Sequence, residues 1–101
     1  MIKQLREEIG LRFRDEKRRR EPLPEGPKGF IVYRGIYGIP FATNGKVRAS
    51  WIPPSTLPKE MGSKEMPGYW ADLNANNKVN MNGDVVPATL EERLQRAFRR
   101  F

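Results

Sequence analysis

The sequence predicts an α+β fold with much irregular structure, in which an N-terminal and a C-terminal helix flank an extended middle segment. Apolar residues recur at helical spacing in residues 1–20 and again in residues 89–101. Residues 21–88 hold all nine prolines and eight of the nine glycines, together with most of the aromatic residues. Since 101 residues allow one small domain, we expect these three segments to form one structural unit.

The N-terminal segment has the pattern of a basic amphipathic helix. Its apolar positions, at spacings of three and four, are Ile2, Leu5, Ile9 and Phe13. The basic run 17–20 follows near the end of this pattern, where cations complement the helix dipole. Pro22 and Pro24 come next and cannot continue a helix. We therefore predict a helix over residues 1–20.

We predict that the middle segment is ordered, although its Pro and Gly content is typical of loops. It carries seven aromatic residues, and disordered linkers are poor in aromatics. The run 30–33 is rich in β-formers, and the run 46–51 alternates, which places Val47, Ala49 and Trp51 on one face. Asn-Gly pairs at 44–45 and 82–83 predict one or two short β-hairpins, the first through a type I′ turn.

The C-terminal segment has the clearest helix signal in the chain. Thr89 and Glu92 form the sequence of a capping box. The apolar stripe that follows consists of Leu90, Leu94, Ala97, Phe98 and Phe101. We predict a helix over 89–101 that docks by this stripe.

The net charge of +7 is concentrated at the two ends of the chain. Residues 1–20 hold eight Lys and Arg against four acidic residues, and residues 89–101 hold four Arg against two. Such clusters suit RNA or an anionic membrane surface. The candidate contacts are Arg12, Arg14, Arg18, Arg19, Arg20, Arg96, Arg99 and Arg100. No apolar run approaches the roughly 20 residues of a transmembrane helix, so we expect no transmembrane segment.

The residue types for most catalytic and metal chemistry are missing. The sequence has no Cys and no His, which removes disulfides, thiolates and imidazoles. The remaining acid–base candidates are Asp, Glu, Lys and Tyr, and Asp72 and Asp84 stand alone in sequence typical of turns. We therefore predict that the chain is not an enzyme, with no catalytic residue, no cofactor and no metal site.

The small apolar fraction, 38% of the residues, favours a chain that relies on a partner. The predicted partner-binding residues are Phe13, Phe30, Tyr33, Phe41, Trp51, Trp70, Leu94, Phe98 and Phe101. The leading hypothesis is a non-catalytic structural or accessory subunit that binds across neighbours in a large assembly. The first alternative is an RNA-binding, ribosome-type component. The second is a small autonomous phage-type or regulatory binding protein, for which we expect both hairpins in one sheet.

Residues 11–55 resemble a small matrix-side accessory subunit of mitochondrial respiratory complex I. The matching features are Leu11-Arg12-Phe13-Arg14, Arg20 followed by Pro22-Leu23-Pro24-Glu25-Gly26-Pro27, Asn44-Gly45-Lys46-Val47-Arg48 and Ile52-Pro53-Pro54-Ser55. This resemblance covers under half of the chain. It implies a structural role without catalysis at the mitochondrial inner membrane, on its matrix side.

Overall fold

The computed structural model describes residues 16–17, 19–74 and 76–98. The strands are β1 (Ile31–Arg34), β2 (Pro40–Thr43), β3 (Arg48–Ile52), β4 (Ser55–Thr56), β5 (Glu65–Met66), β6 (Tyr69–Asp72), β7 (Asn77–Val79) and β8 (Val85–Pro87). A 3-10 turn (Lys59–Met61) lies between β4 and β5, and helix α1 (Leu90–Ala97) follows β8.

Six of these strands form one antiparallel sheet in the order β1-β2-β3-β6-β7-β8. The short strands β4 and β5 pair with each other and form a hairpin inserted between β3 and β6. The pairing of β3 with β6 therefore bridges this insertion and places Trp51 opposite Trp70. Apart from this inserted hairpin, each strand of the sheet after β1 pairs with the strand that precedes it in the chain.

The predicted fold class, two helices flanking an extended and irregular middle, is wrong. The middle segment is mostly a six-stranded sheet. The sequence pattern missed β2, because Pro40 begins that strand, and β6, because its partner β3 lies across the inserted hairpin. Of the predicted N-terminal helix, residues 1–15 and 18 lie outside the described residues.

The first Asn-Gly hairpin is present and joins β2 to β3. The amide of Asn44 donates to the carbonyl of Val47 at 3.3 Å, so the loop consists of Gly45 and Lys46. Gly45 has a φ of 91°, whereas Lys46 is not among the described residues with positive φ. A type I′ turn needs a positive φ at both central residues, so the predicted type I′ turn is wrong.

The second Asn-Gly hairpin joins β7 to β8, as predicted. The amide of Asn80 donates to the carbonyl of Asp84 at 2.9 Å, and the amide of Gly83 donates to the carbonyl of Asn80 at 2.9 Å. Gly83 has a φ of 88°, the left-handed conformation that closes a three-residue loop. A side chain at Gly83 would also collide with the carbonyl of Lys28.

One face of the sheet, which we call the inner face, carries the larger core cluster. Its buried members are Ala42, Ala49, Trp70 and Val79, and its half-buried members are Phe30, Val32, Val47 and Trp51. The predicted alternation of strand β3 is thus confirmed. The Pro-rich segment before β1 contacts this cluster, since the indole Nε1 of Trp70 donates to the carbonyl of Glu25 at 3.0 Å.

The opposite face, which we call the outer face, carries the smaller cluster of Ile52, Tyr69 and Ala71. Helix α1 lies beside this cluster, because the Tyr69 hydroxyl donates to the carbonyl of Glu92 at 2.7 Å. The fold therefore fixes which side of α1 meets the sheet.

Candidate functional site

The beginning of helix α1 is fixed by a capping box, as the sequence predicts. The Thr89 hydroxyl accepts a hydrogen bond from the amide of Glu92 at 3.1 Å. In return the Glu92 carboxylate accepts one from the amide of Thr89 at 2.9 Å. The helix ends at Ala97, earlier than the predicted range 89–101, and Phe98 caps it. Arg99, Arg100 and Phe101 lie outside the described residues.

The side of α1 that meets the sheet is polar. Glu92 is 9% exposed and Gln95 is 1% exposed. The Gln95 amide Nε2 donates to the carbonyl of Pro53 at 2.9 Å and to that of Pro67 at 3.1 Å. The Arg96 guanidinium donates to the carbonyl of Asp72 at 3.0 Å. Hydrogen bonds to backbone carbonyls therefore connect this side of the helix to β6 and to the residues beside β3 and β6.

The electrostatics of this contact are set by Glu92 and Lys78. The Lys78 ammonium lies 2.9 Å from one Glu92 carboxylate oxygen and 3.0 Å from the other. Burial alone would raise the pKa of Glu92, but the hydrogen bond from the Thr89 amide and the pairing with Lys78 outweigh it, so the pKa lies below its ordinary value. Burial raises the pKa of Tyr69.

The apolar stripe of α1 faces away from the sheet. Leu90 is 61% exposed and Phe98 is 56% exposed, while Leu94 between them is half-buried. At 100° per residue, the middle of this stripe lies about 160° from the buried Glu92 and about 100° from the buried Gln95. We call Leu90, Leu94 and Phe98 the α1 stripe. The sequence predicted this stripe but did not reveal that a polar face would pack on the sheet.

The other predicted partner-binding residues are distributed between core and surface. Trp70 is 1% exposed and stands in the core, and Phe30 and Trp51 are half-buried against the same cluster. On the outer face, the rings of Tyr33 and Phe41 stack with centroids 5.3 Å apart. Phe13 lies outside the described residues.

A row of three side chains crosses strands β1, β2 and β3 on the outer face. The Arg48 guanidinium lies 5.1 Å from the centre of the Phe41 ring, whose other neighbour is Tyr33. We call these three residues the aromatic row. A contact between a cation and an aromatic ring, like that of Arg48 with Phe41, contributes about 0.5–1 kcal/mol at exposed sites.

The predicted anion-binding arginines are not gathered at one place in the described part of the chain. Arg19 is exposed and donates to the carbonyl of Ile36 at 3.0 Å, beside the turn between β1 and β2. Arg20 is exposed as well, whereas Arg96 belongs to the contact between α1 and the sheet. Arg12, Arg14 and Arg18 lie outside the described residues.

The β4–β5 hairpin borders an open groove of about 500 Å³. It is lined by Pro54, Ser55, Thr56, Glu65, Met66 and Pro67. In the described ranges, no group of three acidic side chains could hold a metal ion. Nor does any helix of those ranges combine the length and the apolar character that crossing a membrane requires.

Sequence reasoning missed Glu92 and Gln95 as the residues that orient α1. Glu92 was recognisable as part of the capping box, but its partner Lys78 lies on β7, which only the folded sheet brings near.

Comparison of the chain with protein-family models, with curated proteins and with solved structures finds no match. The resemblance to a complex I subunit therefore stays a prediction.

Proposed function

We propose that this chain is a non-catalytic binding protein with a core of its own, which attaches to a larger protein assembly through the α1 stripe. The observation that carries this proposal is the exposure of Leu90 and Phe98 on a helix whose polar side is packed on the sheet. Burying a large apolar side chain contributes about 1.5–3 kcal/mol. A helix that leaves such side chains in water gains that free energy only when another surface covers them.

The inner-face cluster, to which several strands of the sheet contribute, supports a chain that folds before it binds. Both Asn-Gly hairpins lie in the same six-stranded sheet, the arrangement expected for the autonomous alternative. The proposal therefore combines two hypotheses, a small domain of its own and a docking role in an assembly. It replaces the expectation of a middle segment spread over neighbouring subunits.

The chemistry of the partner surface follows from what borders the stripe. Arg93, on the exposed flank of the stripe, adds positive charge, and aromatic residues with nearby Arg are enriched among the residues that dominate interfaces. A short helix presenting anchors at positions i, i+4 and i+8 fits an apolar groove. Glu91 borders the other flank of the stripe, so we expect an acidic group of the groove to lie beside Arg93 only, where it would speed association.

Affinity purification of the tagged full chain from its native cells tests this proposal. We expect a defined set of proteins to remain bound at high salt, because burial of the stripe is apolar. The L90S/F98S variant should lose those proteins. The matched control is M81S/V85S, which removes two similarly exposed apolar side chains at and beside the β7–β8 turn. Equal retention by both variants would overturn the proposal.

Respiratory complex I is the assembly that the sequence resemblance implies. We expect the tagged chain to migrate with complex I on native gels of mitochondrial membranes if that implication holds. Migration with another complex would remove complex I while leaving the α1 docking surface in place. The two questions are thus answered by separate observations.

The aromatic row favours single-stranded RNA as a second candidate ligand. Stacking of bases on aromatic rings is worth about 1–3 kcal/mol per base, and Arg48 adds a cation beside Phe41. RNA binding of this kind weakens steeply as salt rises. Fluorescence anisotropy with a labelled oligonucleotide distinguishes the candidates, since no affinity at low salt would exclude RNA.

A further inference from the structure

Strand β1 forms one edge of the sheet, and two of its residues, Val32 and Arg34, point backbone groups away from β2. The amide of Gly35 donates to the carbonyl of Ile39 at 2.8 Å, which fixes the alternation of the β1–β2 ladder. By that alternation Ile31 and Tyr33 exchange hydrogen bonds with β2. The N–H and C=O of Val32 therefore point away from β2, toward the side of β1 on which the described ranges place no further strand.

The opposite edge of the sheet, β8, is protected against pairing at one position. The amide of Ala88 donates to the carbonyl of Asn76 at 2.9 Å, so Val86 and Ala88 face β7. Val85 and Pro87 then occupy the outward positions, and proline has no N–H to offer. Strand β1 has neither Pro nor Lys, and its charged residue, Arg34, lies at its end and not at Val32. The two edges thus differ in the outward backbone N–H groups that they offer to another strand.

The side chains of β1 on the outer face are apolar and exposed. Ile31 is 61% exposed, and Tyr33, which ends the aromatic row, is 44% exposed. In β1 the sequence Ile31-Val32-Tyr33 places apolar residues symmetrically around the outward-pointing Val32. An antiparallel strand with the same sequence is complementary to it, because aromatic and β-branched residues pair well across strands.

We propose that β1 pairs with β1 of a second copy of this chain, antiparallel and with the two-fold axis at Val32. The two copies of Val32 then exchange two backbone hydrogen bonds, and Ile31 of each copy lies opposite Tyr33 of the other. This pairing extends the aromatic row across the dimer and joins the two sheets into one. The surface is made of residues other than the α1 stripe, so the proposal goes beyond the proposed function.

The size and charge of this interface define how the dimer behaves. A strand of four residues buries less area than the roughly 800 Å² per partner of a standard interface, so the dimer is transient and concentration-dependent. Each copy carries a net charge of +7, and the copies repel each other. Salt therefore strengthens this dimer, whereas it would weaken an RNA complex.

Sedimentation analysis of the full chain over a range of concentrations tests the proposal. We expect the average mass to rise from that of one copy toward that of two as the protein concentration increases. Raising the salt concentration should move this rise to lower protein concentrations. The I31K/Y33K variant places like charges opposite each other across the two-fold axis, and its association constant should fall about tenfold or more. The matched control M81K/V85K adds the same charge at the far end of the sheet and should change the association constant much less.

Two further measurements separate a lost interface from a misfolded variant. Mixing I31K/Y33K with I31E/Y33E should restore association through opposite charges, which a misfolded chain cannot do. Amide exchange of Val32 should slow as the concentration of the wild-type chain rises. A chain that stays monomeric at all concentrations, or a dimer that I31K/Y33K leaves intact, would overturn the proposal.

Discussion

At the scale of single residues, Glu92 caps helix α1 and connects it to the sheet through two contacts. Its carboxylate accepts from the Thr89 amide and pairs with Lys78 on β7, and its carbonyl accepts from the Tyr69 hydroxyl. Because the carboxylate is buried and its pKa is lowered, the folded state favours the charged form. The residue is therefore both a helix cap and an electrostatic anchor.

Acid should destabilise the chain through Glu92. A carboxylate whose pKa is lowered by folding contributes its full stabilisation above its ordinary pKa of about 4.5 and loses it as pH falls through the lowered folded value. E92Q keeps the capping geometry but removes the charge, so it should lower the free energy of unfolding at pH 7 by about 1–2 kcal/mol. It should also flatten the acid limb in denaturant titrations.

The control for that titration is E91Q. Glu91 pairs with Lys64 at 3.8 Å, and the side chains are 46% and 58% exposed, so the pair contributes little. A pH profile for E92Q that matches the wild type would contradict the role given to Glu92.

Gly68 lies where the core leaves no room for a side chain. A Cβ at this position would collide with the ring of Trp51, which packs against the inner-face cluster. G68A should therefore destabilise the chain by about 1–3 kcal/mol, the usual cost of overpacking. Thermal unfolding of G68A measures this, and an unchanged melting temperature would show that Trp51 is not held in place.

At the scale of elements, the local signals were readable from the sequence and the non-local ones were not. The capping box and the two Asn-Gly hairpins depend on residues within five positions of one another, and all three are present. Strand β6 depends on β3, which lies about 20 positions earlier. Its sequence, Tyr-Trp-Ala-Asp, has no alternation, because Tyr69, Trp70 and Ala71 are all buried, two on the outer face and Trp70 on the inner.

Helix α1 should respond differently to substitutions on its two sides and at its cap. T89A removes the capping hydroxyl and should cost about 1 kcal/mol of stability. L90S and F98S alter exposed side chains, so each should change the free energy of unfolding by less than about 0.5 kcal/mol. Chemical denaturation of the three variants checks this order, and a large loss for F98S would place that ring in the core.

At the scale of the whole molecule, the chain joins a compact sheet to a helix that presents its apolar stripe outward. The stripe itself could be predicted, since it depends on helical spacing alone. Which side of α1 meets the sheet could not, because that depends on the Gln95 contacts to Pro53 and Pro67 and on Lys78. Trp70, expected at a partner surface, is in the core because β6 is a central strand.

The most direct test of the docking role is site-specific photo-crosslinking from position 98 in the full chain, in its native cells. We expect a discrete protein adduct from position 98 and none from position 81, an exposed position on the β7–β8 turn. An adduct to nucleic acid, equal adducts from both positions, or no adduct from position 98 would contradict attachment through the α1 stripe.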